Sequence, residues 1–290
     1  MSTPRFRRNY ADDPTLCDRV FELLETWFTG LEEQRQRAAQ LGSRGDDCST
    51  PFVCEEQGKI VSHVGLLNMS YVIQGERRQL GGVHGVCTLE SERRQGHFRR
   101  LMEELLEFCQ GRFETLELAT ENPETYEPFG FRVIPEHRFI ASVRSRGGEP
   151  GFRPVDGTRP SDLDLLDRLL RTRTPVSNRV AVVGELDVFK FSQGTEGLHY
   201  SQALDCFAVF ELEGARLVLS DVVAVELPSL EELLSQLAKP VEEVEFRFSP
   251  DRFAVAARAE PYCFDGDYYM VRGPFAAEGK AFMLPPPARH

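Results

Sequence analysis

Residues 88–108, TLESERRQGHFRRLMEELLEF, set four arginines (Arg93, Arg94, Arg99 and Arg100) around one glycine, Gly96, just ahead of an apolar stripe. From Phe98 the apolar residues recur at Leu101, Met102, Leu105, Leu106 and Cys109, a 3.6-residue period that predicts an amphipathic helix stopping at Gly111. The first N–H groups of a helix have no partner within it, and the helix dipole adds positive character there. A glycine lets the backbone come close to a ligand, and loop amides can form a nest for an anion. The stretch therefore predicts a phosphate or pyrophosphate site, the plainer alternative being a solvated basic helix start. It is not a Walker A loop, because no Gly-Lys-Ser/Thr follows, nor a dinucleotide fingerprint, because GxGxxG is missing.

Upstream, FVCEE and KIVSHVGLLNMSYVIQG are β-branched and apolar and are joined by EQGK, so they read as a hairpin. RQLGGVHGVCTL reads as a third strand, in which Gly82 and Gly85 predict a bulge or a close backbone approach. Residues 14–41 read as helical, with Leu16, Val20, Leu23, Leu24 and Phe28 at helical spacing and a second short helix ending on Gly42. SRGDDCSTP, from Ser43, has loop composition. Downstream come a strand, TLELAT, a turn, ENPETYEPFGF, and a further strand, RVIPEHRFIASV.

The Gly/Pro-rich run RSRGGEPGFRP, residues 144–154, reads as a linker and domain boundary. Beyond it lie a helix (PSDLDLLDRLLRT), a hairpin (CFAVFELEGARLVLSDVVAVEL), a second helix (PSLEELLSQLAK) and the strands VEEVEFRF, FAVAARA and DYYMVRG. This repeats the order of the first half and predicts a duplication of pattern rather than of sequence.

With 290 residues, 41% of them hydrophobic and 28% charged, the chain has the composition of a soluble protein of one large or two moderate domains. A net charge of -12 argues against a general nucleic-acid binder, which needs a basic field, and suits a cationic small molecule or basic peptide. No apolar run approaches the roughly 20 residues that span a bilayer, so no membrane partner is expected. The N-terminal residues lack a secretory apolar core. Seven cysteines without CxxC or zinc-ligand spacing read as reduced thiols in a cytoplasm, with no metal.

RRQGHF, residues 93–98, resembles the pyrophosphate-binding motif of the GNAT N-acetyltransferase superfamily, Arg/Gln-x-x-Gly-x-Gly/Ala. NPETYEPFGF resembles the same family's Asn…Tyr-x-x-x-Gly-Phe run, through Asn122, Tyr126, Gly130 and Phe131. Phe98 stands where the family usually has a second small residue. In this the stretch is more similar to the Arg-Arg-x-Gly-hydrophobic-hydrophobic variant of tandem acetyltransferases of the enhanced-intracellular-survival type, here without room for their sterol-carrier domain.

The resemblance implies an α/β (α+β) GNAT fold, with a central mixed, mostly antiparallel sheet flanked by helices, over residues 1–146. A degenerate GNAT-like domain would follow over 147–290. It implies acetyl-CoA as co-substrate, held by Val86, Cys87 and Thr88 of the third strand, by Arg93, Arg94, Gln95, Gly96, His97, Phe98 and Arg99, and by Asn122. Tyr126 would be the catalytic acid that protonates the departing thiolate. The loop before PSLEELL has neither Gly nor Arg, so a duplicated domain would have lost coenzyme A binding.

Acetyl transfer to an amine needs the free base, and an amine with a pKa near ~10 is mostly protonated at neutral pH. A general base is therefore expected, and Glu90, His84, Glu117 and the carboxylate of His290 stay open for it. Glu117 alternates with Leu116 and Leu118, which reads as a solvent-facing position. The expected partners are acetyl-CoA and an amine acceptor, small molecule or peptide, whose groove would lie between the two halves; a homo-oligomer is left open. The alternative function is a non-catalytic acyl-CoA-binding or scaffold protein.

Overall fold

In a computed structural model we describe residues 6–43, 49–184 and 186–290. Part of the loop expected from Ser43, residues 44–48, lies outside the described residues.

Helix α1 (Leu16–Leu24) buries Leu16, Val20, Leu23 and Leu24 of the predicted stripe, whereas Phe28, its fifth member, lies beyond the helix and is exposed. Asp13 accepts the Thr15 N–H at 3.0 Å ahead of the helix. The chain then turns through Trp27 and Phe28 to Gly30, whose φ of 88° needs glycine, and starts α2 (Leu31–Gln40). The Glu25 carboxylate steadies that turn by accepting from Gly30 N–H at 2.7 Å and Glu32 N–H at 2.8 Å.

Strands β1 (Ser49–Glu56) and β2 (Lys59–Ile73) form the expected hairpin, and β3 (Glu76–Thr88) follows antiparallel to β2. Helix α3 (His97–Cys109) crosses one face of the sheet and returns the chain to β4 (Leu116–Thr120), parallel to β3. Leu101, Met102, Leu105 and Cys109 of α3 pack there against Phe52, Val64, Leu66 and Val83. On the opposite face α1 covers Val53, Ile60 and Cys87. The same face is covered farther along by Phe275, Phe282 and Leu284, which close over Tyr71 and Tyr269.

RVIPEHRFIASV is not one strand. It divides at Ile134-Pro135 into β5 (Arg132–Val133) in this sheet and β6 (Glu136–Ser145), which crosses to a second one. Proline ends the ladder because it has no N–H to give.

In the second half β7 (Phe152–Pro154), α4 (Pro160–Thr172), β8 (Val180–Val182), α5 (Leu186–Gln193) and β9 (Leu198–Ser201) come first. The hairpin β10 (Cys206–Glu213) and β11 (Arg216–Ala224), helix α6 (Leu230–Ser235) and β12 (Val241–Phe246) follow. The last strands are β13 (Arg258–Tyr262) and β14 (Tyr268–Arg272). FAVAARA was expected as a strand, but only its end joins β13, an edge strand that tolerates Pro261.

The first sheet runs β1-β2-β3-β4-β14-β5, with β8 paired to the far end of β2; the second runs β13-β6-β12-β11-β10-β9-β7. Each has an antiparallel hairpin, a helical crossover to a parallel strand, and then a strand from the other half of the chain: β14 in the first sheet, β6 in the second. Neither sheet is therefore confined to one side of residue 146.

A chain cut after Arg146 loses β14, which pairs with β4 along its whole length, and the apolar cover of Tyr71. It should fail to unfold cooperatively in a thermal melt; a sharp transition with retained activity would contradict this topology.

Candidate active site

Strands β3 and β4 touch through only two residue pairs, Gly81 with Leu116 and Gly82 with Glu117. Both glycines are there for close approach: a Cβ on Gly81 would lie 2.6 Å from a Leu116 methyl, and one on Gly82 would lie 2.5 Å from the His290 Nε2. Beyond them β3 bulges, setting Gly85 and Val86 against the single residue Val64, with Gly85 at φ 56°. Meanwhile β4 stays paired with β14 as far as Thr120. The strands part, and a cavity of about 1030 Å³ opens where they do. The Leu89 N–H donates to Val61 of β2 at 2.9 Å, so strand alternation turns the backbone of Thr88 towards the open edge.

At one mouth of the cavity lies the arginine-rich loop. Arg93 is extended, Arg94 has φ 63° and Gly96 has φ 85°. A Cβ on Gly96 would meet nothing within 4 Å, so backbone conformation rather than space calls for glycine. The first ladder bond of α3 runs from Arg100 N–H to the Gly96 carbonyl at 3.0 Å, which leaves the His97, Phe98 and Arg99 N–H groups ahead of the ladder. No side chain caps this end and no acidic residue stands in its first turn.

Helix α6, its counterpart in the second sheet, is different. Ser229 and Glu232 form a capping box there, with the Glu232 carboxylate taking the Ser229 N–H at 2.8 Å. A carboxylate of the protein already sits where an anion would bind.

The side chains of the motif are spread apart. Gln95 donates to Glu92 at 2.7 Å, the buried His97 ring lies 3.5 Å from Glu56, and Arg99 lies along α3 near Glu103. Arg93 lies over the Trp27 ring at 4.0 Å. Phe98 turns inward, edge-on to Tyr126 at 5.8 Å and Phe129 at 5.5 Å, and so leaves the loop amides uncovered.

Tyr126, 7% exposed, lines the cavity, and burial pushes its hydroxyl up to about 12. Asn122 is exposed on the same wall, its N–H bound to the Thr120 hydroxyl at 3.1 Å. Val86 and Thr88 line the wall opposite, the Thr88 hydroxyl bonded to Ser62 at 2.8 Å. The Cys87 thiol points back at Leu23 and is pushed up to about 11 by burial, so it is no nucleophile at neutral pH.

Of the base candidates, Glu90 is exposed in a 3-10 turn and does not line the cavity. Glu117 is not solvent-facing: it is 1% exposed. The alternation with Leu116 and Leu118 is real, but the face it points to is covered by Tyr71, Tyr269 and the segment ending at His290. Burial pushes Glu117 up to about 8, against the Tyr71 hydroxyl and the Arg289 charge, which lower it. The His290 Nε2 lies 3.2 Å from its Oε1 and the His290 ring reaches the cavity.

His84 also lines the cavity. Its Nε2 lies 2.7 Å from the Ser49 hydroxyl, and the ring fits only because the residue facing it is Gly65. The His84 ring stands edge-on between His63 at 6.3 Å and His290 at 6.1 Å. Burial lowers all three histidines: His63 and His290 to about 4, and His84 well below its usual range, helped by its two neighbours.

Sequence reasoning missed His63, Tyr71, Tyr269 and the His290 ring. The local signals were Gly82 and Gly85, where an added Cβ would lie 2.5 Å from the His290 ring and 3.3 Å from the His63 ring. Among the described residues no group of three or more His, Cys, Asp or Glu side chains is arranged to hold a metal ion, and no helix is long and apolar enough to cross a membrane.

Residues 13–134 match a family model described as an acetyltransferase (GNAT) domain. The match covers fewer than half of the 290 residues, and it is this segment that is similar to a GNAT domain. That family uses an acyl-CoA co-substrate, and acyl transfer is the activity the match supports. A probable N-acyltransferase from Enterococcus faecalis superimposes with a TM-score of 0.59 at 12% identity, covering 94% of this chain and 72% of that one. A GCN5-related N-acetyltransferase from Kribbella flavida gives 0.53 at 18% identity, covering 89% and 68%. Eis1 from Mycobacterium abscessus gives 0.53 at 14% identity, covering 93% and 73%. At these identities the structures show a shared fold. No curated protein matches the sequence.

His63 binds its proton at about 4 in the folded chain and near 6.5 when unfolded, so the unfolded state holds more protons between those values. Its contribution is full above 6.5 and is lost as the pH falls towards 4, on the order of 3 kcal/mol. His63→Asn should show a shallower loss of denaturation midpoint between pH 6.5 and 4 than the native chain; equal slopes would contradict a buried neutral His63.

Proposed function

We propose that the protein transfers the acetyl group of acetyl-CoA to a primary amine by direct attack within a ternary complex. One observation carries this reading: the parted ends of β3 and β4 join the uncapped start of α3 to a cavity that Tyr126, His84 and His290 all line. The diphosphate of coenzyme A suits the amides of Arg94 to Arg99, where N–H groups and helix dipole favour an anion. The pantetheine would then run along the open edge of β3, by Val86, Cys87 and Thr88, with Asn122 across from it.

In this reading the amine nitrogen attacks the thioester carbonyl carbon, the C–S bond breaks, and the sulfur leaves as a thiolate. Tyr126, kept protonated by burial, gives that sulfur a hydrogen bond and then its proton, and is reprotonated by the second nitrogen-bound proton that the amine sheds as it becomes the amide. Holding both reactants in one cavity supplies much of the acceleration. The proton of the incoming ammonium goes to Glu117 by way of the His290 ring, which lies between that carboxyl and the cavity. A carboxyl near 8 is better matched to an amine than an ordinary one near 4.3.

We read residues 1–146 as the acetyltransferase half and 147–290 as a degenerate acetyltransferase-like half. The capping box of α6 supports that reading by filling the second half's equivalent anion site.

Tyr126→Phe should lower kcat about 10- to 100-fold while acetyl-CoA binding is kept; unchanged kcat would remove Tyr126 as the acid, and no turnover above background by the native chain with any amine would leave the scaffold alternative. The base works only when deprotonated, so kcat/KM should rise with pH up to about 8. Glu117→Gln should lower the rate and abolish that limb, and an unaltered profile would exclude Glu117.

A further inference from the structure

One wall of the cavity is aromatic. It is built from Phe21 of α1, Trp27 and Phe28 of the α1–α2 turn, Leu31 of α2, and Val188 and Phe191 of α5. Trp27 is 46% exposed and Phe28 45%, exposures matched among the aromatic side chains of the described residues by Tyr268 at 45%. Side chains of this size left in water at the rim of a cavity mark a surface that a ligand covers.

The faces of two of these rings are already taken by cations. The Arg93 guanidinium lies 4.0 Å from the Trp27 ring centre and that of Arg35 lies 4.6 Å from Phe21. A second cation there would meet like charge, so the wall is suited to apolar surface and not to ammonium groups. Nearer the reaction centre the three histidines are neutral, and the carboxylates on the lining are few: Glu121, Asp187 and Asp267. Of these, Asp187 already accepts the Ser43 hydroxyl at 2.7 Å. A polyamine or an amino sugar with several ammonium groups would have to strip water from charges with too few partners.

Resting on the acetyltransferase reading, we propose that the acceptor is a monoamine with an apolar, aryl or alkyl body. That body lies against Trp27, Phe28 and Phe191, and its single amino group points towards His290 and Tyr126. The net charge of the chain attracts such a cation from a distance, but the wall of the cavity selects what is attached to it.

Trp27 is the only tryptophan in the chain, so fluorescence excited selectively at tryptophan reports on this wall. Phenethylamine added to the full chain without acetyl-CoA should change that fluorescence saturably, and spermidine should not. With acetyl-CoA, thiol release should show kcat/KM at least tenfold higher for phenethylamine and hexylamine than for spermidine or kanamycin. Phe28→Ala should raise the phenethylamine KM about tenfold with little change in kcat.

Equal or better turnover of spermidine or kanamycin would overturn the proposal. So would a Phe28→Ala variant with unaltered KM. If no amine is turned over but phenethylamine still shifts the fluorescence saturably, the transferase reading fails while the subsite stands. Neither turnover nor a fluorescence change would sink both.

Discussion

A parallel pair of strands normally stays joined along its length, because each unpaired N–H and C=O must otherwise find another partner. Here β3 and β4 are joined through Gly81–Leu116 and Gly82–Glu117 and no farther. Three local features hold them apart: the bulge at Gly85 and Val86 adds twist to β3, the His290 ring occupies the space beside Gly82, and β14 keeps β4 straight by pairing its other edge. The backbone groups freed on β3 face a cavity instead of a neighbour. The loop that follows β3 leads directly into α3, so the open edge and the uncapped helix start lie on one continuous path.

That arrangement depends on the second half of the chain. Strand β14 comes from beyond the second sheet, and the segment that follows it lays Phe275, Phe282 and Leu284 over Tyr71 and Tyr269 and carries His290 to the cavity. Glu136 anchors the segment, accepting from the Leu284 N–H at 2.9 Å and from Arg289 at 2.6 Å. The carboxyl of Glu117 is thereby sealed from solvent, and the neighbouring histidines are kept neutral. The polar cluster at the centre thus exists only because two remote parts of the sequence fold over one strand.

Local physics made much of the fold and one end of the site readable in the sequence. The α3 stripe, the β1–β2 hairpin and the glycine at 96 are all consequences of neighbours within a few residues. What could not be read was non-local. The split at Ile134-Pro135 separates two short extended segments that look continuous, and only the sheets they join tell them apart. Glu117 alternates with buried leucines as a half-exposed strand would, yet its face is covered by residues near the end of the chain. Phe98 is large where a small residue is usual, and only the fold shows that its ring turns towards Tyr126 and away from the loop.

The central claim is that the parting of β3 and β4 is a coenzyme A site. A crystal structure grown with saturating acetyl-CoA tests it most directly. The account predicts the diphosphate on the backbone N–H groups of residues 94–99 and the thioester between Val86 and Tyr126. Coenzyme A bound elsewhere, or the parted strands empty at saturation, would contradict it.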